Sequence, residues 1–295
     1  MSNAIAYDRQ IEDVGNIVKL EHVNLGVPDQ SLATLFYVCG LGLTRDPYLM
    51  TGVDNMWINV GSSQFHLPSR QPQRLRGHIG LVVPDRESLL TRLSAVRGSL
   101  ARSHFDVSEH EDYVEAVCPW GNHVRCYPPD AARFGPIALG MPYVEFDVPP
   151  ESAAAIADFY RDIFSAPASV TSIGGKRTAI VAVGPKQQLR FHESDAMSAA
   201  YDGHHIQLYV ADFSRPYARL KEYGLITEES DQHQYRFLHI TDVGNQAIKF
   251  TVEHEIRSTR HPLFARPLVN RNPLQSNRSY RPGHDALIWS GLDPG

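Results

Sequence analysis

The sequence predicts an α+β protein built from four copies of one strand, helix, three-strand module and closed by an irregular C-terminal tail. Three observations carry this. Four eight-residue segments share one pattern: HVNLGVPD from His22, HIGLVVPD from His78, YVEFDVPP from Tyr143 and HIQLYVAD from His205. Each alternates apolar and polar residues, as in Val23, Leu25, Val27 and again in Ile206, Leu208, Val210, which is the period of a half-buried strand. After each strand comes a stretch with helical spacing.

The helical stretches are SLATLFYVCG, RESLLTRLSAV, SAAAIADFYRDIF and FSRPYARLKEYG, with Asp29, Asp85 and Asp212 placed to cap three of them. Returning strands repeat as well. MWINVGSSQFHLP matches TAIVAVGPKQQLRFHES, and YVEAVCPWGNHVRCY matches RFLHITDVGNQAIKF, with hairpin turns at Gly121, Asn122 and at Gly244, Asn245. Two consecutive modules are expected to form each domain. That gives an N-terminal extension over 1–18, a first domain over 19–134, a second over 140–255 and an extended tail over 256–295. From about Glu253 the pattern lapses, and Arg, Asn and Pro dominate. Leu263, Phe264, Leu268 and Trp289 suggest that this tail docks, on the other domain or on a partner subunit in a homo-oligomer.

Bulk properties narrow the functional classes. The chain has 295 residues, 42% apolar and 21% charged, with a formal net charge of -5, so no basic field draws it to nucleic acid or an anionic membrane. No apolar run reaches membrane-span length, and the first residues lack a signal-peptide layout, so a cytoplasmic location is expected. Cys39, Cys118 and Cys126 form no CxxC pair and are expected to be buried free thiols. GGK at Gly174 to Lys176 lacks the frame of a phosphate loop and reads as a hairpin turn.

Over about residues 19–253 the chain resembles the vicinal-oxygen-chelate superfamily, which includes glyoxalase I, methylmalonyl-CoA epimerase, bleomycin and fosfomycin resistance proteins and the type I extradiol dioxygenases. The carriers are HVNLGVPD, FHLP, GHIGLVVPD, CPWGNHVRCY and their second-half counterparts. The resemblance implies two cupped mixed β-sheets with helices outside, each cup able to enclose a divalent metal held from first and last strands. Its ligand positions fall on His22, His66, His78 and Arg125 in the first domain, and on Tyr143, His192, His205 and about Lys249 in the second. A cation then stands where the family has a carboxylate.

Strand alternation turns His22, Asn24, His78, His66, Arg125 and their neighbours to the face opposite the helices. Three histidines, His22, His66 and His78, are therefore expected as metal ligands, with Fe(II) first and Mn, Zn or Ni as the other candidates. An alternative second-domain site comprises Tyr143, Glu145, His192 and His205. Arg125 would pair with Glu115 across its hairpin and orient an anionic substrate, while His192 and His239 stand where the resemblance places acid/base groups. His104, His110, His233, His254 and His261 read as solvated. Three functions stay open: a metal-dependent enzyme most like a ring-cleaving dioxygenase, an isomerase or lyase of the glyoxalase or epimerase kind, and a metal-free protein binding a small aromatic or anionic compound.

Overall fold

A computed structural model describes residues 8–9, 12–47, 49, 54–195, 200–266 and 268. Trp289 lies outside them. The first module comprises β1 (Ile17–Asn24), α1 (Gln30–Ala33), β2 (Thr44–Arg45), β3 (Asn55–Val60) and β4 (Ser63–Pro68). Its helix continues from α1 as a π-helical stretch, Thr34–Gly40, closed by the Leu41 amide on the Phe36 carbonyl. The second comprises β5 (Gly77–Val82), α2 (Arg86–Leu100), β6 (Asp106–Glu109), β7 (Val114–Val117) and β8 (His123–Tyr127). A short helix, α3 (Ala131–Phe134), leads to the third module: β9 (Gly140–Val148), α4 (Ala153–Phe164), β10 (Ala168–Ile173), β11 (Lys176–Gly184) and β12 (Gln187–Glu193). The fourth comprises β13 (His205–Val210), α5 (Ser214–Glu222), β14 (Ile226–Asp231), β15 (Gln234–Thr241) and β16 (Ile248–Ser258).

The caps form as the sequence implies. Asp29 accepts from the Ser31 and Leu32 amides, Asp85 from that of Ser88, and Asp212 from that of Arg215, although Phe213 is the residue flanking α5. Gly174 and Gly175 take positive φ in the β10–β11 turn. Cys118 and Cys126 are buried free thiols, whereas Cys39 is exposed, because it falls on the outer side of the π-helical stretch.

Two eight-stranded sheets result, ordered β14-β15-β16-β13-β1-β4-β3-β2 and β10-β11-β12-β9-β5-β8-β7-β6. Within each module the first strand pairs parallel to the fourth, and the helix supplies the crossover. The first strands of two modules then meet antiparallel, β1 with β13 and β5 with β9. The sheets therefore join module one to four and two to three, correcting the expected grouping of consecutive modules over 19–134 and 140–255. The near-identical first strands carry no signal that selects one partner over another. Consecutive modules do meet through their helices: α2 packs on the π-helical stretch and α4 on α5. One hydrophobic core runs through all four, from Val23 and Phe36 through Leu93 and Ile156 to Phe237.

Two further expectations change. The fourth module does not end near Glu253, since β16 continues to Ser258 and pairs over its whole C-terminal half with β13. His254 is consequently a fully buried strand residue, bonded to the Tyr160 hydroxyl, and not a solvated one. Among the described residues no helix is long and apolar enough to cross a membrane.

Gln187 fastens the two sheets to each other. Its buried amide accepts from the Leu20 amide and faces the Leu20 carbonyl, the Ser63 hydroxyl and the Met141 carbonyl, all between 3.0 and 3.1 Å. Replacement by an apolar residue leaves buried backbone groups unpaired, so Gln187→Leu should lower unfolding stability by roughly 1–3 kcal/mol. Urea unfolding measures this, and an unchanged midpoint would show the clamp to be dispensable.

Candidate functional site

Strand register fixes which side chains share the hollow of each sheet. In the first sheet His22 stands opposite Gln64 on β4 and Gln207 on β13, while Asn24 stands opposite His66 and His205. On the far side His205 faces Glu253 and Gln207 faces Glu255. An approximate two-fold relation across the seam thus equates His22 with His205 and His66 with Glu255.

His22, His66 and His205 each offer a ligand atom, and these atoms all lie within 4.8 Å of one another. Glu255 Oε2 lies 3.6 Å from His205 Nε2. His22 donates Nδ1–H to the buried Glu21 carboxylate at 2.7 Å, leaving its Nε2 as a lone pair aimed away from that bond. Burial alone would raise the Glu21 carboxyl, but the His22 bond and the Lys19 and Arg257 charges hold it well below the usual range. His205 Nδ1 lies 3.3 Å from Glu253. Burial first, then the neighbouring His22 and arginines, pushes His66 and His205 well below the ordinary imidazole value, so both are neutral.

Among the described residues neither His22 Nε2 nor His205 Nε2 has a hydrogen-bond partner, although both are buried. Orphaned acceptors of this kind cost about 1–3 kcal/mol each unless something fills them. His66 is held by Asn24 on Nδ1 at 2.6 Å and Asn55 on Nε2 at 2.7 Å, and its ring stacks on Trp57 at 3.8 Å. An ion on one nitrogen would displace one amide and leave the other to orient the ring. Three imidazoles beside a carboxylate are a donor set that fits a divalent transition metal. Glu255 also pairs with Arg236 and, at 2.6 Å, with Arg257, so its negative charge is shared.

The tail closes over this hollow. Leu263 packs against Leu49 and Trp57, the Phe264 ring lies 4.9 Å from that of Tyr209, and buried Arg266 binds Asp46 at 2.7 Å. The described part of the tail therefore docks on this chain's own first sheet.

The second sheet carries the same register with other residues. His78 faces His123 and Glu145, Gly80 faces Arg125 and Tyr143, and Glu145 faces Arg190. The places of His22, His66, His205 and Glu255 are thus taken by His78, Arg125, Tyr143 and Arg190. Tyr143 fills the centre: its hydroxyl meets His78 Nε2 at 3.0 Å and the Tyr127 hydroxyl at 2.8 Å. A Cβ on Gly80 would come within 2.2 Å of the Tyr143 ring, so glycine is required where the first sheet has Asn24.

These positions correct the expected sites. His78 does not join His22 and His66, because modules one and two never share a sheet; His205 takes its place. Likewise Tyr143, Glu145 and His192 are separated from His205. The last-strand positions fall on Glu255, since β16 runs further than its hairpin suggested, and on Arg190, since β12 places Arg190 opposite Glu145 and His192 opposite Asp147, and not on Lys249 and His192. Lys249 lies 4.0 Å from Asp242 instead. Arg125, Glu115 and His192 do line one cavity, of about 810 Å³, in the second sheet, with Arg125 Nε bonded to Glu115 at 3.1 Å as anticipated. His239 stays apart, bonded to Thr251 at 3.2 Å. Glu21, Glu253 and Glu255 were missed; the alternation of Glu253, Glu255 and Arg257 was the available signal.

The architecture is the vicinal-oxygen-chelate fold, with four modules in one chain and two cups. No protein-family model and no curated protein matches the sequence. Solved structures match its fold. A candidate dioxygenase from Bacillus subtilis aligns over 95% of this chain and 94% of its own, with a TM-score of 0.56 and 14% identity. Glyoxalase I from Zea mays aligns over 81% of this chain and 92% of its own, with a TM-score of 0.56 and 9% identity.

Burial first, then the Arg125 and Arg190 charges, lowers His78 to about 3. Its folded value lies below the unfolded one, so as pH falls below about 6.5 the unfolded chain takes the proton first. That costs up to about 1.4 kcal/mol of stability per pH unit until the folded group also titrates. Urea midpoints between pH 6.5 and 4 should therefore fall less steeply in His78→Gln than in the wild type; parallel curves would mean that His78 titrates alike in both states.

Proposed function

We propose that the chain is a metal-dependent enzyme in which His22, His66, His205 and Glu255 hold one divalent ion, and that its substrate is a small molecule bound through two adjacent oxygens. The observation that carries this is the pair of buried, unpartnered Nε2 atoms of His22 and His205 beside His66. A bound ion supplies Lewis acidity, drawing electron density from the substrate oxygens. Glu21 and Glu253 orient the two imidazoles, Trp57 fixes the His66 ring, and Leu263 and Phe264 shield the cup from water.

The donor count favours one reaction class. Four protein donors leave two places on a six-coordinate ion, enough for two substrate oxygens and none for dioxygen beside them. The glyoxalase or epimerase kind of reaction then stands first, with Glu255 as the nearest carboxylate to move a proton between neighbouring carbons. The ring-cleaving dioxygenase reading, with Fe(II), is favoured by the pairing of Glu255 with Arg236 and Arg257, which would withhold it and free a third place.

Protein purified without chelator or a His tag should contain about one equivalent of iron, manganese, nickel or zinc per chain, as measured by elemental analysis. His22→Ala and His205→Ala should each lose it, and His78→Ala should keep it. Metal persisting in a His22→Ala, His205→Ala double variant, or no metal bound even after reconstitution, would sink the proposal and leave metal-free ligand binding in front. Oxygen uptake with catechols separates the two reaction classes in the loaded protein.

A further inference from the structure

The second cup has kept the fold's register and replaced the donors. Where the first cup presents His66 and Glu255, the second presents Arg125 and Arg190, and no cluster of three metal-ligating groups occurs there among the described residues. Its cavity, about 810 Å³, is lined by six Arg and Lys side chains, Arg74, Arg76, Arg125, Arg133, Lys176 and Arg190, against three carboxylates, Glu115, Glu145 and Asp147. The chain as a whole carries a net charge of -5, so this excess of cations is local.

The carboxylates do not neutralise Arg190. Glu115 is taken by Arg125 at 3.1 Å and lies 3.4 Å from His123. Arg190 has no ion pair within 4.0 Å among the described residues; its Nε and Nη2 both donate to Gln188 Oε1, at 3.0 and 2.9 Å, and its guanidinium lies over the Tyr143 ring at 3.9 Å. That arrangement fixes the plane of the group and leaves Nη1 without a hydrogen bond among the described residues. A guanidinium held flat and uncommitted is pre-organised for a planar or tetrahedral oxyanion. Glu145, the carboxylate facing Arg190 in register, lies 3.7 Å from His78 Nδ1 and forms no ion pair with Arg190 within 4.0 Å.

Arg125 and Arg190 stand on β8 and β12, the outer two of four adjacent strands, so the space between them spans about three strand spacings of ~4.8 Å. Tyr113 and Tyr127 add aromatic surface to the same wall. We infer that the second cup is a binding site for a small organic anion, an aromatic or similarly sized molecule bearing a doubly charged oxyanion such as a phosphate monoester, gripped between Arg125 and Arg190. It is separate from the metal cup and does not depend on it.

Phenyl phosphate titrated into the full-length protein by calorimetry tests this, with inorganic phosphate as the smaller probe. Saturable binding is expected, weakening as salt rises, with phenyl phosphate tighter than phosphate. Arg190→Ala should weaken it at least about tenfold, Arg190→Lys by an intermediate factor, and Arg125→Ala comparably to Arg190→Ala. Because Arg125→Ala also frees Glu115, Arg125→Gln provides a second reading, and unchanged urea midpoints and metal content show that each variant is folded with the first cup intact. No saturable binding of either probe, or binding unaffected by Arg190→Ala in a folded protein, would overturn the inference.

Discussion

Antiparallel pairing of first strands, β1 with β13 and β5 with β9, is the constraint on which the remaining geometry hangs. A module alone leaves its first strand with one bare edge, because only the fourth strand covers the other. Covering that edge with another first strand sets two hollows face to face across a seam and brings side chains that are far apart in sequence into contact. His22 and His205 reach 5.6 Å between ring centroids only because β1 chose β13. Had β1 met β5, His22 would have shared a hollow with His78 and the buried carboxylates of β16 would have served neither.

The two cups show what one backbone frame allows. In the first, three imidazoles and Glu255 converge, with Glu21 and Glu253 behind them and Arg236 and Arg257 balancing the carboxylates. Charges buried this deeply are tolerated only as a connected network, since each would otherwise forfeit its hydration. The second cup relaxes that demand with a phenol at its centre and guanidiniums at its sides. Gly80 is the enabling change: without a Cβ there, the Tyr143 ring has room to lie across the seam.

Much of this was legible in the chain. Alternation in the four first strands gave the modules, and the Asp caps marked where three helices begin. His22, His66 and His205 were each recognisable as inward-facing because strand parity is a local property. Which of them meet is not local. The motifs at His22, His78 and His205 have the same parity and the same turn, so pairing is decided by the packing of whole modules. Glu255 escaped for a different reason: the Asp242 to Ala247 turn of the last hairpin, with Gln246 at positive φ, shifts the count between Thr241 and the cup-facing end of β16. Pattern matching from the turn stops at Lys249, while matching from the seam leads to Glu255.

Crossed pairing also bears on how the chain can come apart. A cut between Phe134 and Gly140, at the midpoint of the repeat, would leave each product with two half-sheets and none of its seams. Helix contacts hold module one to two and three to four, while strand contacts hold one to four and two to three, so the four modules form a closed ring of dependencies. Neither half is a domain in the sense of owning its own core. The protein has two chemically distinct hollows set in one packed unit, because the four modules share a single hydrophobic core.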